Sequence, residues 1–250
     1  MYTLKKSLGQ HFLIDESVVQ KIINALQEDS FKNLLEVGPG GGALTKKLVK
    51  IPGIHFKAVE LDDEKINLLK KQFPSLSDDL IHKSFLDIDA PFEGIFHIVG
   101  NFPYNISTQI LFKILDWKDQ VPVVIGMFQK EVAQRAAASP GGKTYGVLSA
   151  LLQPFYDIEY LFDVPPESFD PPPKVQSGVV RLVRRKAKLE VRSEKAYILL
   201  VKTAFNQRRK TLRNALKGLF TKEILEDALF NRRAETLSME EFALLTFKMN

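Results

Sequence analysis

The chain has 250 residues and a formal net charge of +5; 45% of its residues are hydrophobic and none is a cysteine. This composition predicts a folded protein with one large and one small domain, without disulfide bonds or cysteine-based metal and nucleophilic sites. The chain has no apolar run of the roughly 20 residues that span a membrane and no secretory signal, so we expect a cytoplasmic protein. Its four histidines are scattered and predict no metal site.

The first half of the chain alternates strands with helices. Asp15 is expected to cap a helix, and a glycine-rich turn follows the first buried strand. The predicted strands are 33–37, 55–61, 80–85, 95–100 and 121–128. Such alternation predicts an α/β fold with a parallel sheet and helices on both faces.

The pattern changes after residue 130. We predict helices at 131–138 and 145–152, then strands at 157–164 and 176–183. The prolines between those two strands are expected to exclude regular structure. Only helices are predicted beyond residue 193, at 193–206, 208–219, 221–230 and 238–248. The sequence therefore predicts a catalytic domain over 1–188 and a small all-helical domain over 189–250.

Positive charge is concentrated near the domain boundary. From Arg181 to Lys217 there are 13 basic residues and two acids, so the rest of the chain is net negative. A basic lobe on an acidic body favours a polyanionic partner such as nucleic acid, although solvated helix faces also carry lysine and arginine.

The turn after the first strand indicates a cofactor site. Gly38 and Gly40 allow the backbone to approach a ligand, and Glu60 ends the second strand, where a carboxylate accepts hydrogen bonds from ribose hydroxyls. These features suit NAD and S-adenosylmethionine equally. Glu36 inside the first strand and Asp87, expected at the end of the third strand, favour S-adenosylmethionine. At that edge Asp87 is positioned to accept a hydrogen bond from the cofactor's adenine amine.

The tetrapeptide Asn101-Phe102-Pro103-Tyr104 follows the fourth strand and is the candidate catalytic motif. The amine of adenine is a poor nucleophile, and acceptors that draw on its two hydrogens favour a pyramidal nitrogen. The Asn101 side chain and the Phe102 carbonyl supply two acceptors, Pro103 stiffens the turn, and Tyr104 offers a stacking face. The alternative is an ordinary strand-to-helix turn with asparagine as a local cap.

These motifs resemble those of the rRNA adenine N6,N6-dimethyltransferases. The resemblance covers residues 4 to about 217 and is carried by five stretches, namely 6–13 (KSLGQHFL), 35–40 (LEVGPG), 101–104 (NFPY), 169–177 (FDPPPKVQS) and 205–212 (FNQRRKTL). It implies a Rossmann-like class I methyltransferase domain and S-adenosylmethionine as the cofactor. Family members commonly have leucine where Phe102 stands.

The resemblance is strongest to the bacterial small-subunit enzymes. It implies dimethylation of two adjacent adenines in a hairpin loop near the 3′ end of 16S rRNA during assembly of the small ribosomal subunit. The cofactor residues that carry over, with the second glycine of the turn, are His11, Leu13, Gly38, Gly40, Glu60, Asp87 and Asn101.

Substrate contacts are expected from two groups of residues. Phe169 is a candidate to stack on the flipped base opposite Tyr104, although it could equally plug the proline loop. Four basic residues are expected to contact RNA phosphates, namely Arg208, Arg209, Lys210 and Arg213. A monomer is the expected state.

Three other functions stay open from the sequence. A large-subunit rRNA adenine methyltransferase of the macrolide-resistance type would share every active-site residue. A non-enzymatic RNA-binding assembly factor would have a decayed site, whereas Glu36, Glu60, Asp87 and Asn101 are intact. A nicotinamide-dependent oxidoreductase would bind NAD in place of S-adenosylmethionine.

Overall fold

The computed structural model describes residues 11–207 and 209–250. The chain divides into two compact units. The first contains the chain up to Ala133 together with Ile158–Arg184, and the second contains Gln134–Asp157 and Arg185–Asn250. Among the described residues, no helix combines the length and the hydropathy that crossing a membrane requires.

The strands and helices of the described residues follow the predicted alternation, although several of their bounds differ. The strands are β1 (Phe12–Leu13), β2 (Asn33–Val37), β3 (His55–Glu60), β4 (Leu80–His82), β5 (His97–Asn101), β6 (Val123–Gln129), β7 (Tyr156–Val164), β8 (Phe169–Asp170) and β9 (Ser177–Arg184). The α-helices are α1 (Glu16–Gln27), α2 (Thr45–Leu48), α3 (Asp63–Gln72), α4 (Ser107–Asp116), α5 (Lys130–Ala136), α6 (Val147–Leu152), α7 (Glu194–Asn206), α8 (Leu212–Ala215), α9 (Lys222–Leu225) and α10 (Met239–Thr246).

Seven strands form one sheet in the order β4-β3-β2-β5-β6-β9-β7. The pairs from β4 to β6 are parallel, and β9 runs antiparallel to β6. The predicted α/β class with a mostly parallel sheet is confirmed. Along the chain, β2, β3 and β4 proceed toward one edge and β5 and β6 toward the other. The strand order therefore reverses between β2 and β5, where open α/β sheets bind ligands.

Helix α1 begins as predicted. The carboxylate of Asp15 accepts hydrogen bonds from the backbone N–H groups of Ser17 and Val18, which would otherwise lack partners at a helix start. The buried face of α1 is apolar and consists of Val18, Val19, Ile22, Ile23, Ala25 and Leu26.

The prediction that the proline-rich segment has no regular structure was wrong in two places, of which the first is a turn of 3₁₀ helix at Pro166–Ser168. Phe169 and Asp170 form the short strand β8, which pairs antiparallel with β1 through the partners Phe12–Asp170 and Leu13–Phe169. The backbone N–H of Ile14 also donates to the carbonyl of Ser168, at 2.9 Å. Prolines remove donors only at their own positions, so the residues before Pro171 were free to pair.

The second unit differs from the predicted C-terminal domain because residues 134–157 belong to it. The Tyr197 hydroxyl of α7 donates to the carbonyl of Ala150 in α6, and the N–H of Gly141 donates to the carbonyl of Glu235. These contacts between distant parts of the chain have no local sequence signal. The helices predicted at 208–219 and 221–230 are also shorter, since only α8 and α9 are α-helical there.

Two glycines, one on β5 and one on β6, make room for aromatic rings beneath the turn that follows β5. Phe102 is 1% exposed, and its ring stacks on that of Phe128 with centroids 4.8 Å apart. A Cβ atom at Gly126 would lie 2.5 Å from ring atoms of both residues, and one at Gly100 would lie 3.1 Å from the Phe102 ring. The phenylalanine at position 102 is therefore accommodated by missing side chains on β5 and β6.

Gly126→Ala should lower the free energy of unfolding by about 2 kcal/mol, because the added methyl group overpacks the two stacked rings. Denaturant unfolding followed by circular dichroism measures the change. Gly94→Ala is the matched control, since a Cβ at this exposed glycine meets no atom within 4 Å. Equal stability of Gly126→Ala and the wild type would contradict this account of the packing.

Candidate active site

A cavity of about 860 Å³ lies in the first unit, where strands β2, β3 and β5 end. It is lined by the predicted glycine turn, by Glu60 at the end of β3, by the candidate catalytic tetrapeptide and by the segment around β1. The described lining residues that bear on its chemistry are His11, Phe12, Leu13, Glu36, Gly38, Gly40, Glu60, Lys65, Ser84, Leu86, Asn101, Phe102, Pro103, Tyr104, Ile106, Ile110 and Asp170.

The glycine turn has a backbone conformation that glycine adopts readily. Gly38 and Gly40 have φ angles of 68° and 54°, a region that other residues rarely adopt. The N–H of Gly38 donates to the carbonyl of Val59, at 2.9 Å, which holds the turn to β3. The ring of Phe12 lies against Gly40, where an added Cβ would meet it at 3.4 Å. The turn is thus covered by the segment that contains β1.

Glu60 ends β3 and faces the same turn. Its Oε2 accepts a hydrogen bond from the N–H of Gly40 at 3.1 Å, and its Oε1 accepts from Leu61 and Asp62 at 2.8 and 3.0 Å. A carboxylate has about four acceptor sites, two on each oxygen. These three bonds therefore hold the side chain rigidly and leave one site on Oε2 for a ligand hydroxyl.

Glu36 lies beneath the turn and is 1% exposed. The hydroxyl of Thr45 donates to its Oε2 at 2.7 Å. Burial disfavours the carboxylate form and, helped by the negative charge of Glu60, raises the pKa of Glu36 to about 8 against the Thr45 hydrogen bond. At neutral pH this side chain is mainly the uncharged acid.

Asn101 is the last residue of β5, and its side chain is held from β1. Its Nδ2 donates to the backbone carbonyl of His11 at 3.1 Å. A carbonyl only accepts hydrogen bonds, so the amide must turn its nitrogen toward His11. The ring of His11 is itself bonded through Nδ1 to the carbonyl of Pro171, at 2.9 Å. The opposite end of the Asn101 amide, Oδ1, is thereby left to accept a ligand N–H.

The rest of the tetrapeptide forms a tight turn into α4. The N–H of Phe102 donates to the carbonyl of Met127, and the hydroxyl of Ser107 donates to the carbonyls of Pro103 and Tyr104. Burial raises the pKa of the Tyr104 phenol above its ordinary value, so the phenol stays protonated at neutral pH. Asn101, Phe102, Pro103 and Tyr104 thus all line the cavity as predicted.

The position of Asp87 was predicted wrongly. Strand β4 ends at His82, three residues before the predicted end, and Phe85–Asp87 form a turn of 3₁₀ helix. Ser84 and Leu86 line the cavity, whereas Asp87 is exposed and is not part of the lining. Ser84 follows β4 by two residues, and its hydroxyl accepts a hydrogen bond from the N–H of Leu86.

Phe169 is placed in the core and not at the cavity. It is 2% exposed and belongs to the hydrophobic cluster that includes Leu13, Val19 and Val164. Its pairing with Leu13 across β1 and β8 directs it there. Phe169 is not among the residues that line the cavity, and its place fits the alternative of a plug for the proline loop. The stacking role of Phe169 stays a prediction.

The predicted RNA-contacting residues lie in the second unit. Arg208 is outside the described residues. Arg209 and Lys210 are exposed. Arg213 donates through Nε to the carbonyl of Leu225 at 2.9 Å, which secures the end of α9 and uses part of its five-donor capacity.

Lys65 and Asp170 also line the cavity, although no local pattern pointed to them. Lys65 is 1% exposed, and its Nζ lies 4.4 Å from the centroid of the Phe12 ring. Lysine on a helix is ordinarily solvated, so nothing in the local sequence signals this placement. Asp170 reaches the cavity because it pairs with Phe12.

Comparison with known sequences places the chain among rRNA methyltransferases. The sequence pattern of the ribosomal RNA adenine dimethylase family matches residues 1–247. The chain is 54% identical over 246 residues to the ribosomal RNA small subunit methyltransferase A of Cytophaga hutchinsonii, across 97% of this chain and 95% of that protein. The protein of the same name from Flavobacterium johnsoniae is 48% identical over 249 residues, with coverage of 98% and 95%.

Two solved structures have the same fold over nearly the whole chain. A dimethyladenosine transferase from Plasmodium falciparum superposes with a TM-score of 0.80 at 25% identity, across 95% of this chain and 97% of that one. The 23S rRNA methyltransferase ErmE superposes with a TM-score of 0.72 at 22% identity, across 95% and 99%. The Rossmann-like class I methyltransferase fold that the resemblance implied is thereby confirmed.

The pKa of Glu36 predicts how stability depends on pH. The folded-state value of about 8 lies above the ordinary 4.5, so the folded protein binds this proton more tightly than the unfolded chain. The favourable contribution is complete below pH 4.5 and is lost as the pH rises through 8. Relative to Glu36→Gln, the wild type should therefore lose unfolding free energy between about pH 5 and pH 9.

Urea unfolding of both proteins at about pH 5, 7 and 9 measures this difference. Glu226→Gln, which alters an exposed carboxylate, is the control and should follow the wild type at every pH. A constant difference between Glu36→Gln and the wild type would show that Glu36 does not titrate in this range.

Proposed function

Because the chain belongs to the ribosomal RNA adenine dimethylase family, we propose that it transfers methyl groups from S-adenosylmethionine to the N6 amine of adenine in small-subunit rRNA. The finer proposal is that two adjacent adenines in a hairpin loop near the 3′ end of 16S rRNA become dimethyladenosine during subunit assembly. The single observation that carries the proposal is the Asn101 amide, which lines the cavity at the switch point with its nitrogen bonded to His11.

The cavity fits the proposed cofactor. Glu60 keeps one acceptor site on Oε2 for a ribose hydroxyl, and Gly38 and Gly40 bring backbone close to the ligand. Ser84 and Leu86, which follow β4, line the part of the cavity where the cofactor's adenine amine is expected to bind. His11 and Leu13 cover this region from the segment of β1. When bound, the cofactor supplies a methyl group already activated on a sulfonium.

The residues of the tetrapeptide then prepare the target amine. Asn101 Oδ1 accepts one N6 hydrogen and the Phe102 carbonyl accepts the other. Accepting both hydrogens localises the nitrogen lone pair, which is otherwise delocalised into the ring. Asn101 is fixed in advance by the His11 carbonyl, so little reorganisation is needed in the transition state.

Tyr104 supplies the stacking face for the target base. It lines the cavity next to Asn101, and its phenol remains neutral. Phe169 packs in the hydrophobic core, so Tyr104 is the ring that we propose stacks on the base. A base in a hairpin loop is already partly unstacked, so moving it into the cavity costs less than extruding it from a duplex.

RNA binding is proposed for the basic part of the second unit. Two of the 13 basic residues between Arg181 and Lys217 form ion pairs within the described structure. Arg181 pairs with Glu28 and Asp29, and Arg185 pairs with Asp157. Among the described residues of the basic segment, the exposed cations without an ion pair are Lys186, Lys188, Arg192, Lys195, Lys202, Arg209, Lys210, Arg213 and Lys217. These cations are the proposed contacts to rRNA phosphates, which set affinity more than sequence preference.

The alternative with the same chemistry is a large-subunit rRNA target. ErmE shares the fold, but at 22% identity it supports only the fold. Relatives at 48% and 54% identity are small-subunit enzymes by name, and this favours the small subunit. We further propose that the protein acts as a cytoplasmic monomer on the assembling subunit.

The first test is methyl transfer from labelled S-adenosylmethionine to undermethylated small ribosomal subunits. Label should appear as dimethyladenosine in 16S rRNA. Asn101→Ala should lower the rate by about 100-fold or more while cofactor binding stays measurable, because it removes an acceptor made for the transition state.

Large subunits are the parallel substrate in this test. Label in large-subunit RNA would support the same methyl-transfer chemistry but would identify the protein as a methyltransferase of the macrolide-resistance type. Binding of small subunits without any transfer would favour the non-enzymatic assembly factor, and stabilisation by NAD in a thermal shift would favour the oxidoreductase. Full activity of Asn101→Ala would overturn the mechanism.

The second test concerns the basic residues. Arg209→Gln with Lys210→Gln should weaken binding to small-subunit RNA and reduce the slope of log K against log salt by about 1 to 2, because two phosphate contacts are lost. Lys70→Gln with Lys71→Gln is the matched control, since it removes two adjacent exposed charges from α3 of the first unit. An unchanged slope in the first variant would place the RNA elsewhere.

A further inference from the structure

Ser177 is a fully buried polar residue for which the mechanism above has no use. It is the first residue of β9 and is 0% exposed. Its hydroxyl forms a hydrogen bond with the hydroxyl of Tyr104, which is 73 residues away in the sequence. Ser177 therefore touches the ring proposed to stack on the target base without lining the cavity itself.

The backbone around Ser177 is rigid. Ser177 pairs with Gln129 in the antiparallel ladder between β6 and β9. Next to it, the N–H of Lys130 donates to the carbonyl of Gln176, at 2.9 Å, and the Lys130 ammonium donates to the Gln176 side chain. A hydroxyl mounted on this ladder is a fixed point in the sheet.

Tyr104, in contrast, lies outside the sheet. It begins the 3₁₀ turn Tyr104–Ile106, where its backbone is held by the Ser107 hydroxyl. Its ring runs alongside the ring of His11, with centroids 5.6 Å apart and planes tilted by 31°. Rotation about χ1 would move the ring out of this place, and a hydrogen bond at the far end of the ring opposes that rotation.

We propose that Ser177 is a positioning residue, which fixes the ring of Tyr104 so that one face is presented to the target adenine. This inference rests on the proposed function, since it presumes that Tyr104 stacks on the base. Ser177 acts only through Tyr104 and contacts neither the amine nor the cofactor. Loss of either hydroxyl should therefore have the same consequence, and loss of both should add little.

The experiment is a double-mutant cycle of Ser177→Ala and Tyr104→Phe. Single-turnover methyl transfer to undermethylated small subunits is measured at saturating S-adenosylmethionine. Each single variant should be slower than the wild type by about three- to tenfold, the value of one hydrogen bond. The double variant should be no more than about twofold slower than either single variant, and Ser177→Thr, which keeps a hydroxyl, should recover most of the rate.

Two further measurements distinguish the proposed positioning role of Ser177 from a purely structural role. The dissociation constant for S-adenosylmethionine should change less than about twofold in Ser177→Ala. Ser149→Ala is the matched control: Ser149 is also 0% exposed, and its hydroxyl donates to a backbone carbonyl in the second unit. It should lower thermal stability and leave the methyl-transfer rate within about twofold of the wild type.

Two results would overturn the inference. One is a Ser177→Ala variant with the wild-type rate. The other is a double variant whose loss equals the product of the two single losses. If Ser177→Ala is too unstable to assay, Ser177→Cys, which keeps the size of the side chain but forms only weak hydrogen bonds, completes the same cycle with Tyr104→Phe. Absence of transfer by the wild-type protein would instead refute the proposed function and is read from the same assay.

Discussion

Parallel pairing of β2 with both β3 and β5 is the constraint on which the site depends. Glu36 stands opposite Ala58 on one side and Val99 on the other, so the three strands run in fixed register and end at the same edge. Glu60 and Asn101 end β3 and β5, and Gly38 directly follows β2. The pairing of the strands therefore brings these three residues to one edge of the sheet. The cavity lies where strand order reverses, because only there do neighbouring connections leave in opposite directions.

A second, smaller pairing converts this edge into a covered site. Strand β1 joins β8, which carries His11 over the catalytic turn and Phe12 onto the glycine turn. The same segment then determines the orientation of the Asn101 amide through the His11 carbonyl. Cofactor coverage and catalytic geometry are thus linked by one stretch of backbone, an arrangement in which the acceptors are organised before substrate arrives.

The buried polar groups of the site fall into two kinds. Burial keeps Glu36 mainly uncharged at neutral pH, and Tyr104 is an uncharged phenol there in any case; each has a hydroxyl partner, Thr45 or Ser177. Glu60 accepts three backbone N–H groups and retains one site for a ligand. None of these roles requires a strong base, which agrees with a reaction whose methyl donor is already activated and whose barrier depends mainly on positioning.

The succession of strands and helices in the α/β half, the cap at Asp15, the glycine turn and the Asn101 tetrapeptide could all be predicted from the sequence, because periodicity and turn chemistry act between near neighbours. Tertiary structure alone decided that β4 stops early and puts Ser84, not Asp87, at the cavity. It also decided the bonds His11–Pro171, Asn101–His11 and Tyr104–Ser177, which join residues 160, 90 and 73 positions apart. Such contacts follow from how the whole chain packs, and no local pattern records them.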